Sequence, residues 1–222
     1  MMAAVPPFPT VHTLKKRREA MYVYVAIGDS LVTGVGSTNG FVVPYRNMAS
    51  RRLGQPIQLI KLARNGLTCE QISSLTFRHS KQIERANIIT ITAGGNNFLT
   101  ALRQTSRTGT VDHLPKTTAG VYACLHHLIR HITYVKQHAR TPYIVRVFNL
   151  YNPLPNIPVL QSHLFRFNQS LYTLERYPNV RIVDISFLSN GVHYLAKDGI
   201  HPNNRGYEKM AEAVYQTGFH PL

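Results

Sequence analysis

The 222-residue chain is short of cysteine, of carboxylates and of long apolar runs. Two cysteines cannot make a disulfide-scaffold protein, and Cys69 and Cys124 lack the close spacing of a metal-binding pair. Both are read as reduced thiols, with Cys124 in or near the core. No apolar stretch reaches the length of a membrane span. The basic block Lys15-Lys16-Arg17-Arg18 is followed only by Tyr22–Ile27 as an apolar run, too short for the core of a secretory signal. The expectation is therefore cytoplasmic synthesis without a signal peptide. Ten Asp and Glu face 25 Lys and Arg, for a formal net charge of +15. With so few acids, each one is a candidate for a specific task.

Other classes are excluded by what is present. At 44% hydrophobic residues the chain is too apolar for a disordered polyelectrolyte. Its length suits one sizeable domain whose core needs neither disulfide nor metal. Residues 1–20 differ from the rest: an Ala/Pro-rich start, then the basic block. They are read as a disordered extension preceding a domain of residues 21–222. The extension holds four bases and one acid, so the domain keeps a net charge of +12. Such a charge suits nucleic acid, an anionic membrane surface or an acidic substrate, or serves only solubility. No nucleic-acid-binding motif accompanies it, so no specific nucleic-acid binding is expected.

From Met21 onward, β-branched runs alternate with amphipathic segments. Strands are predicted at Tyr22–Ile27, Ile57–Leu62, Ile88–Thr92, Tyr143–Phe148 and Val180–Ile185. They are continuously apolar or nearly so, as in strands buried on both faces. A helix is predicted over Thr117–Ala139. A second apolar stripe runs from Leu160 through Leu164, Phe167 and Leu171 to Leu174, and a third from Tyr207 to Tyr215. Thr68 with Gln71 makes a capping box for a further helix. Alternating strands and helices imply right-handed crossovers. The expected fold is α/β: a three-layer α/β/α sandwich on a five-stranded parallel sheet of flavodoxin-like order. Ligands of such sheets sit beyond the carboxyl ends of the strands.

Four segments at those ends carry polar chemistry: Gly28-Asp29-Ser30-Leu31, Arg64-Asn65-Gly66-Leu67, Gly94-Gly95-Asn96-Asn97 and Asp198-Gly199-Ile200-His201-Pro202-Asn203. A serine hydroxyl is a weak nucleophile until a base takes its proton. His201 supplies that base, and Asp198, three residues earlier, supplies an acceptor for its other ring nitrogen. The backbone N–H groups of Ser30 and Gly66 and the Asn96 amide are candidate oxyanion donors. Glycine at 66 would let backbone approach the oxyanion without a Cβ in the way. Taken singly, each segment also reads as an ordinary turn or cap, with Asn203 as N-cap of the last helix. Taken together and in this order, they do not.

The four segments resemble the blocks of the GDSL, or SGNH, hydrolase superfamily, over nearly all of residues 21–222. The resemblance implies a triad of Ser30, Asp198 and His201, with an oxyanion hole of Ser30, Gly66 and Asn96. The runs Tyr24–Leu31, Asn149-Leu150-Tyr151-Asn152-Pro153, Phe167-Asn168, and His201-Pro202 with Arg205-Gly206-Tyr207-Glu208 are similar to the bacterial spore-germination lipase subgroup. That likeness implies hydrolysis of fatty-acyl esters, phospholipids included, and a place in the spore, in its coat for instance. Asn97 departs from the Asp usual after the oxyanion asparagine, which leaves open how that loop is held.

Two alternatives accompany this expectation: a short-chain or carbohydrate O-acyl esterase, and a basic binding protein with a vestigial site. No cofactor is expected. His127 and His131, one turn apart, have no third ligand nearby and are read as a solvated helix face, not a metal site. Gly34-Val35-Gly36 and Gly40 do not match a dinucleotide fingerprint and are read as a flexible loop beside Ser30. Thr105–Pro115 is read as a mobile loop, and Asn152–Pro155 as a wall of the site. The expected partners are a small-molecule ester or lipid substrate and, through the basic charge, an anionic lipid surface.

Overall fold

A computed structural model describes residues 21–110 and 113–222. The expected extension over 1–20 lies outside the described residues. The apolar runs become five strands: β1 (Tyr22–Gly28), β2 (Ile57–Ala63), β3 (Ile88–Ile91), β4 (Ile144–Phe148) and β5 (Val180–Val183). They form one parallel sheet in the order β2-β1-β3-β4-β5. This is the flavodoxin-like order, whose chain reverses direction between β1 and β3. β1, at the centre of that reversal, is buried from its second residue onward.

Alternate residues of the strands feed two cores. On one face, Val23, Val25 and Ile27 pack with Ile72, Phe98, Leu125, Ile129 and Leu164. These come from α3 (Cys69–Arg78), α5 (Gly95–Thr108), α6 (His113–Ala139) and α7 (Pro158–Leu171); α4 (Ser80–Arg85) adds Ile83. On the other face, Tyr24 and Ala26 pack with residues of α1 (Ser30–Thr33), α2 (Val42–Leu53) and α8 (Asn204–Gln216), among them Val42, Tyr45 and Met210. Two 3-10 segments, Tyr172–Arg176 and Ser186–His193, flank β5. The capping box of α3 is present, with Thr68 and Gln71 bonded reciprocally.

Three expectations are corrected. The segment Thr105–Pro115 is mostly helical: α5 continues to Thr108, and Gly109 closes it in a left-handed conformation, its N–H on the Thr105 carbonyl. α6 then begins at His113 rather than Thr117, with Pro115 tolerated in its first turn. Residues 111–112 of that segment lie outside the described residues. The cysteines are not free: Cys69 and Cys124 form a disulfide with their Cα atoms 6.3 Å apart. They stand 55 residues apart in the chain, and only the packing of α3 against α6 brings them together. Closing a loop of that length stabilises the fold by up to about 4 kcal/mol on the chain-entropy account. No described helix is long and apolar enough to cross a membrane.

Candidate active site

The site forms where β1 and β3 part. Gly28 ends β1 so close to β3 that an added Cβ would fall within 3 Å of the Thr92 side chain and carbonyl. The chain can therefore turn into α1 directly, with Ser30 as its first residue. Asp29 caps that turn: its Oδ1 accepts from the Leu31 N–H (3.1 Å) and from the Thr92 hydroxyl (2.9 Å). Burial pushes the Asp29 carboxyl above its usual range, although these hydrogen bonds oppose the shift. The Ser30 N–H, in the first helical turn, is left as a donor.

His201 reaches Ser30 from the turn before α8. Its Nε2 lies 2.9 Å from Ser30 Oγ, and its Nδ1 lies 2.6 Å from Asp198 Oδ2. The other Asp198 oxygen accepts from the backbone N–H groups of Ile200 and His201, both at 2.9 Å. One carboxylate thus folds the turn and orients the ring. Burial would raise the Asp198 carboxyl, but the bonds from the His201 ring and the two N–H groups outweigh it and hold it at about 2. The turn is fixed from outside as well. The Tyr151 hydroxyl donates to the Ile200 carbonyl at 2.6 Å, and the Asn203 side chain caps α8 through Gly206 N–H.

The proposed oxyanion donors come from two neighbouring loops that are tied together. Asn96 Nδ2 donates to the Leu67 carbonyl at 3.0 Å, which leaves its second N–H free to point elsewhere. Asn65, beside Gly66, accepts from the Thr33 hydroxyl on α1. Gly66 adopts φ +77°, and a Cβ there would meet nothing within 4 Å. Left-handed backbone by itself calls for glycine here.

Asn97 holds this pair of loops. Its Oδ1 accepts from the Cys69 N–H at 2.9 Å, and its Nδ2 donates to both Glu70 oxygens, at 3.0 and 3.3 Å. Burial would raise the Glu70 carboxyl, but bonds from Thr68 and Asn97 keep it below the usual range. An aspartate at 97 would set two carboxylates against each other. Asn97→Asp is therefore expected to cost about 1 kcal/mol, seen as a lower thermal midpoint. Adding Glu70→Gln should restore the midpoint. Equal midpoints for Asn97→Asp and the parent would contradict this role.

Ser30, Asn96 and His201 line one cavity of about 200 Å³, together with Phe98, Leu99, Leu150, Pro153, Leu160 and Leu164. Asp198 bonds His201 from off the lining, and Gly66, next to the Leu67 whose carbonyl Asn96 bonds, is not on the lining either. Of the wall expected at Asn152–Pro155, Pro153 is on the lining. The glycine loop does lie beside Ser30, with the Gly34 and Val35 N–H groups on the Ser30 carbonyl, but it is off the lining and not free to flex. It is pinned instead: the Ser37 hydroxyl bonds both Gly34 and Gly40, and the Tyr207 hydroxyl donates to Val35. His131 bonds the Ser80 hydroxyl, and Phe77 packs against the rings of both His127 and His131. His127 is nevertheless exposed, as expected of a solvated face, while His131 is half-buried. Thr92, Tyr151 and Tyr207 support the site although the sequence reading gave none of them a role; Tyr151 and Tyr207 stood only within the runs that carry the subgroup likeness. Tyr151 follows β4, so the strand-end rule could have found it.

The sequence profile of the GDSL-like lipase/acylhydrolase family matches residues 26–209. The spore germination lipase LipC of Bacillus licheniformis is 31% identical over 203 residues, covering 88% of this chain and 96% of the relative. The crystal structure of the lipase Lip_vut3, from a goat rumen metagenome, superposes with a TM-score of 0.86 at 30% identity, covering 90% of this chain and 99% of that one. The acetyl xylan esterase Axe2 of Geobacillus stearothermophilus shares the fold, with a TM-score of 0.64 at 15% identity and coverage of 91% and 99%. A parallel sheet that delivers a serine, a histidine and an aspartate to one edge is thus met by likeness along nearly the whole domain, and the chain belongs to the GDSL-like lipase/acylhydrolase family of serine ester hydrolases.

Proposed function

We propose that this protein hydrolyses fatty-acyl esters of lipids through an acyl-enzyme on Ser30. One observation carries the reading: the Asp198–His201–Ser30 chain of contacts, at 2.6 and 2.9 Å, ends in an apolar cavity. Ser30 Oγ attacks the acyl carbonyl as His201 Nε2 takes its proton. Asp198 holds Nδ1–H and stabilises the imidazolium. The Ser30 and Gly66 N–H groups and the Asn96 amide receive the oxyanion. His201 then protonates the departing alcohol, and the acyl group stays on Ser30. The same imidazole next activates a water that releases the acid. Every step uses side chains, backbone and water, with no cofactor.

The apolar lining supports an acyl chain of some length over an acetyl group. So does the likeness to two proteins called lipases. The spore is the setting that the likeness to LipC suggests. The net charge of +15 supports attraction to an anionic lipid surface, an effect that salt would screen. Rates on para-nitrophenyl esters of graded chain length test the acyl preference. Each methylene that reaches the apolar lining should raise kcat/KM by up to about fourfold until the cavity is full. A maximum at acetate, falling with every added carbon, would contradict the lipid reading.

A further inference from the structure

We infer that Arg103 is a specificity residue of this site and selects esters that carry an anionic group some distance from the scissile carbonyl. The inference rests on the ester-hydrolase reading above and adds a substrate class to it. Asn96, Leu99 and Arg103 all line the cavity, and all lie on α5 at i, i+3 and i+7. Seven residues make nearly two full helical turns, so the three side chains share one stripe, and Arg103 stands about 10 Å along the axis from Asn96. The cavity thus has three zones. Oxyanion donors and Ser30 occupy one end. Phe98, Leu99, Leu160 and Leu164 form the middle. Arg103, exposed to solvent, lies on the lining nearly two helical turns beyond Asn96.

The other ionisable side chains on the lining are Asp29, Tyr151 and His201, and all three are already engaged. Among the described residues, Arg103 enters neither ion pair. A neutral ester leaves its guanidinium in water and gains nothing from it. An ester with a carboxylate or phosphate beyond an apolar spacer places that anion where the guanidinium can grip it with two parallel hydrogen bonds. Arg103 is no member of the Asp198–His201–Ser30 chain, so its effect is on which substrate is held.

The anion could sit on the acyl side, as a terminal carboxylate, or on the alcohol side, as a phosphate headgroup. Two matched pairs separate these sources. One is para-nitrophenyl octanoate against its analogue with a terminal carboxylate on the acyl chain. The other is a monoacylglycerol against the lysophosphatidylglycerol of the same acyl chain, both below their aggregation thresholds and at fixed ionic strength. Arg103→Gln should lower kcat/KM about five- to tenfold on the anionic member of one pair and leave both neutral members within twofold. Arg103→Glu should lower it further, and Arg103→Lys should retain part of the preference. The pair that responds locates the anion. Unchanged neutral rates also establish that the variants are folded. If Arg103→Gln leaves the anionic-to-neutral ratio unchanged in both pairs while the neutral esters turn over, the assignment of Arg103 is wrong and the hydrolase reading stands. If the parent protein hydrolyses none of the four esters, both are overturned.

Discussion

Ser30→Ala is expected to lower kcat for ester hydrolysis by about 10⁴- to 10⁶-fold, with the thermal midpoint close to that of the parent. The size of the loss follows from the role. Without Oγ no acyl-enzyme forms, and only oxyanion stabilisation and binding remain to assist direct attack by water. The small effect on stability follows from the surroundings. Ser30 Oγ bonds His201, and the ring stays oriented by Asp198 when the hydroxyl is gone. The turn itself is held by Asp29 and Thr92 through atoms the substitution does not touch. A variant that keeps a tenth of the parent activity would assign the chemistry to another residue.

Asp198→Asn is expected to cost about 10³- to 10⁴-fold in kcat, again with little change in folding. Two backbone N–H groups, of Ile200 and His201, need the acceptor at Oδ1. Asparagine will satisfy them with its amide oxygen, which turns its NH₂ toward His201 Nδ1. The ring must then accept at Nδ1 and carry its proton on Nε2, facing Ser30. In that tautomer it cannot take the serine proton. The substitution therefore preserves the turn and inverts the base. Asp198→Ala loses the turn bonds too and should lower both activity and stability.

The carboxylate's low value gives the sign of its pH dependence. Its folded value is depressed from 3.8 to about 2, so the stability it lends is present above pH 4. That contribution is lost only as pH falls toward 2. The Asp198 turn should thus remain closed in mild acid. Loss of activity there, with the fold intact by circular dichroism, would arise elsewhere than in Asp198.

Much of this site could be read from the chain because a parallel sheet aligns its strand ends. Once β1, β2 and β3 are recognised by their apolar runs, Ser30, Gly66 and Asn96 must lie at one edge. Asp198 and His201 enter with the turn before α8. What the chain order hides is contact between elements distant in sequence. The Cys69–Cys124 bond depends on α3 lying beside α6, and Asn97 holding Glu70 depends on two loops meeting beyond the sheet. The end of α5 was obscured for a local reason. Thr105, Ser106 and Thr108 read as loop residues, yet the Ser106 and Thr108 hydroxyls bond back to the Leu102 and Gln104 carbonyls of a helix whose buried face carries Phe98 and Ala101. Continuation of α5 to Thr108 also keeps Arg103 in mid-helix, on the stripe of Asn96.

The central claim is that Ser30 is the nucleophile. Its most direct test is the reaction of the full chain with a fluorophosphonate, followed by peptide mass mapping. One adduct per chain is expected, on the peptide containing Ser30, with ester hydrolysis falling in step with labelling and no adduct on Ser30→Ala. Complete inactivation with the label on another residue, or ester hydrolysis that persists with Ser30 fully labelled, would contradict it.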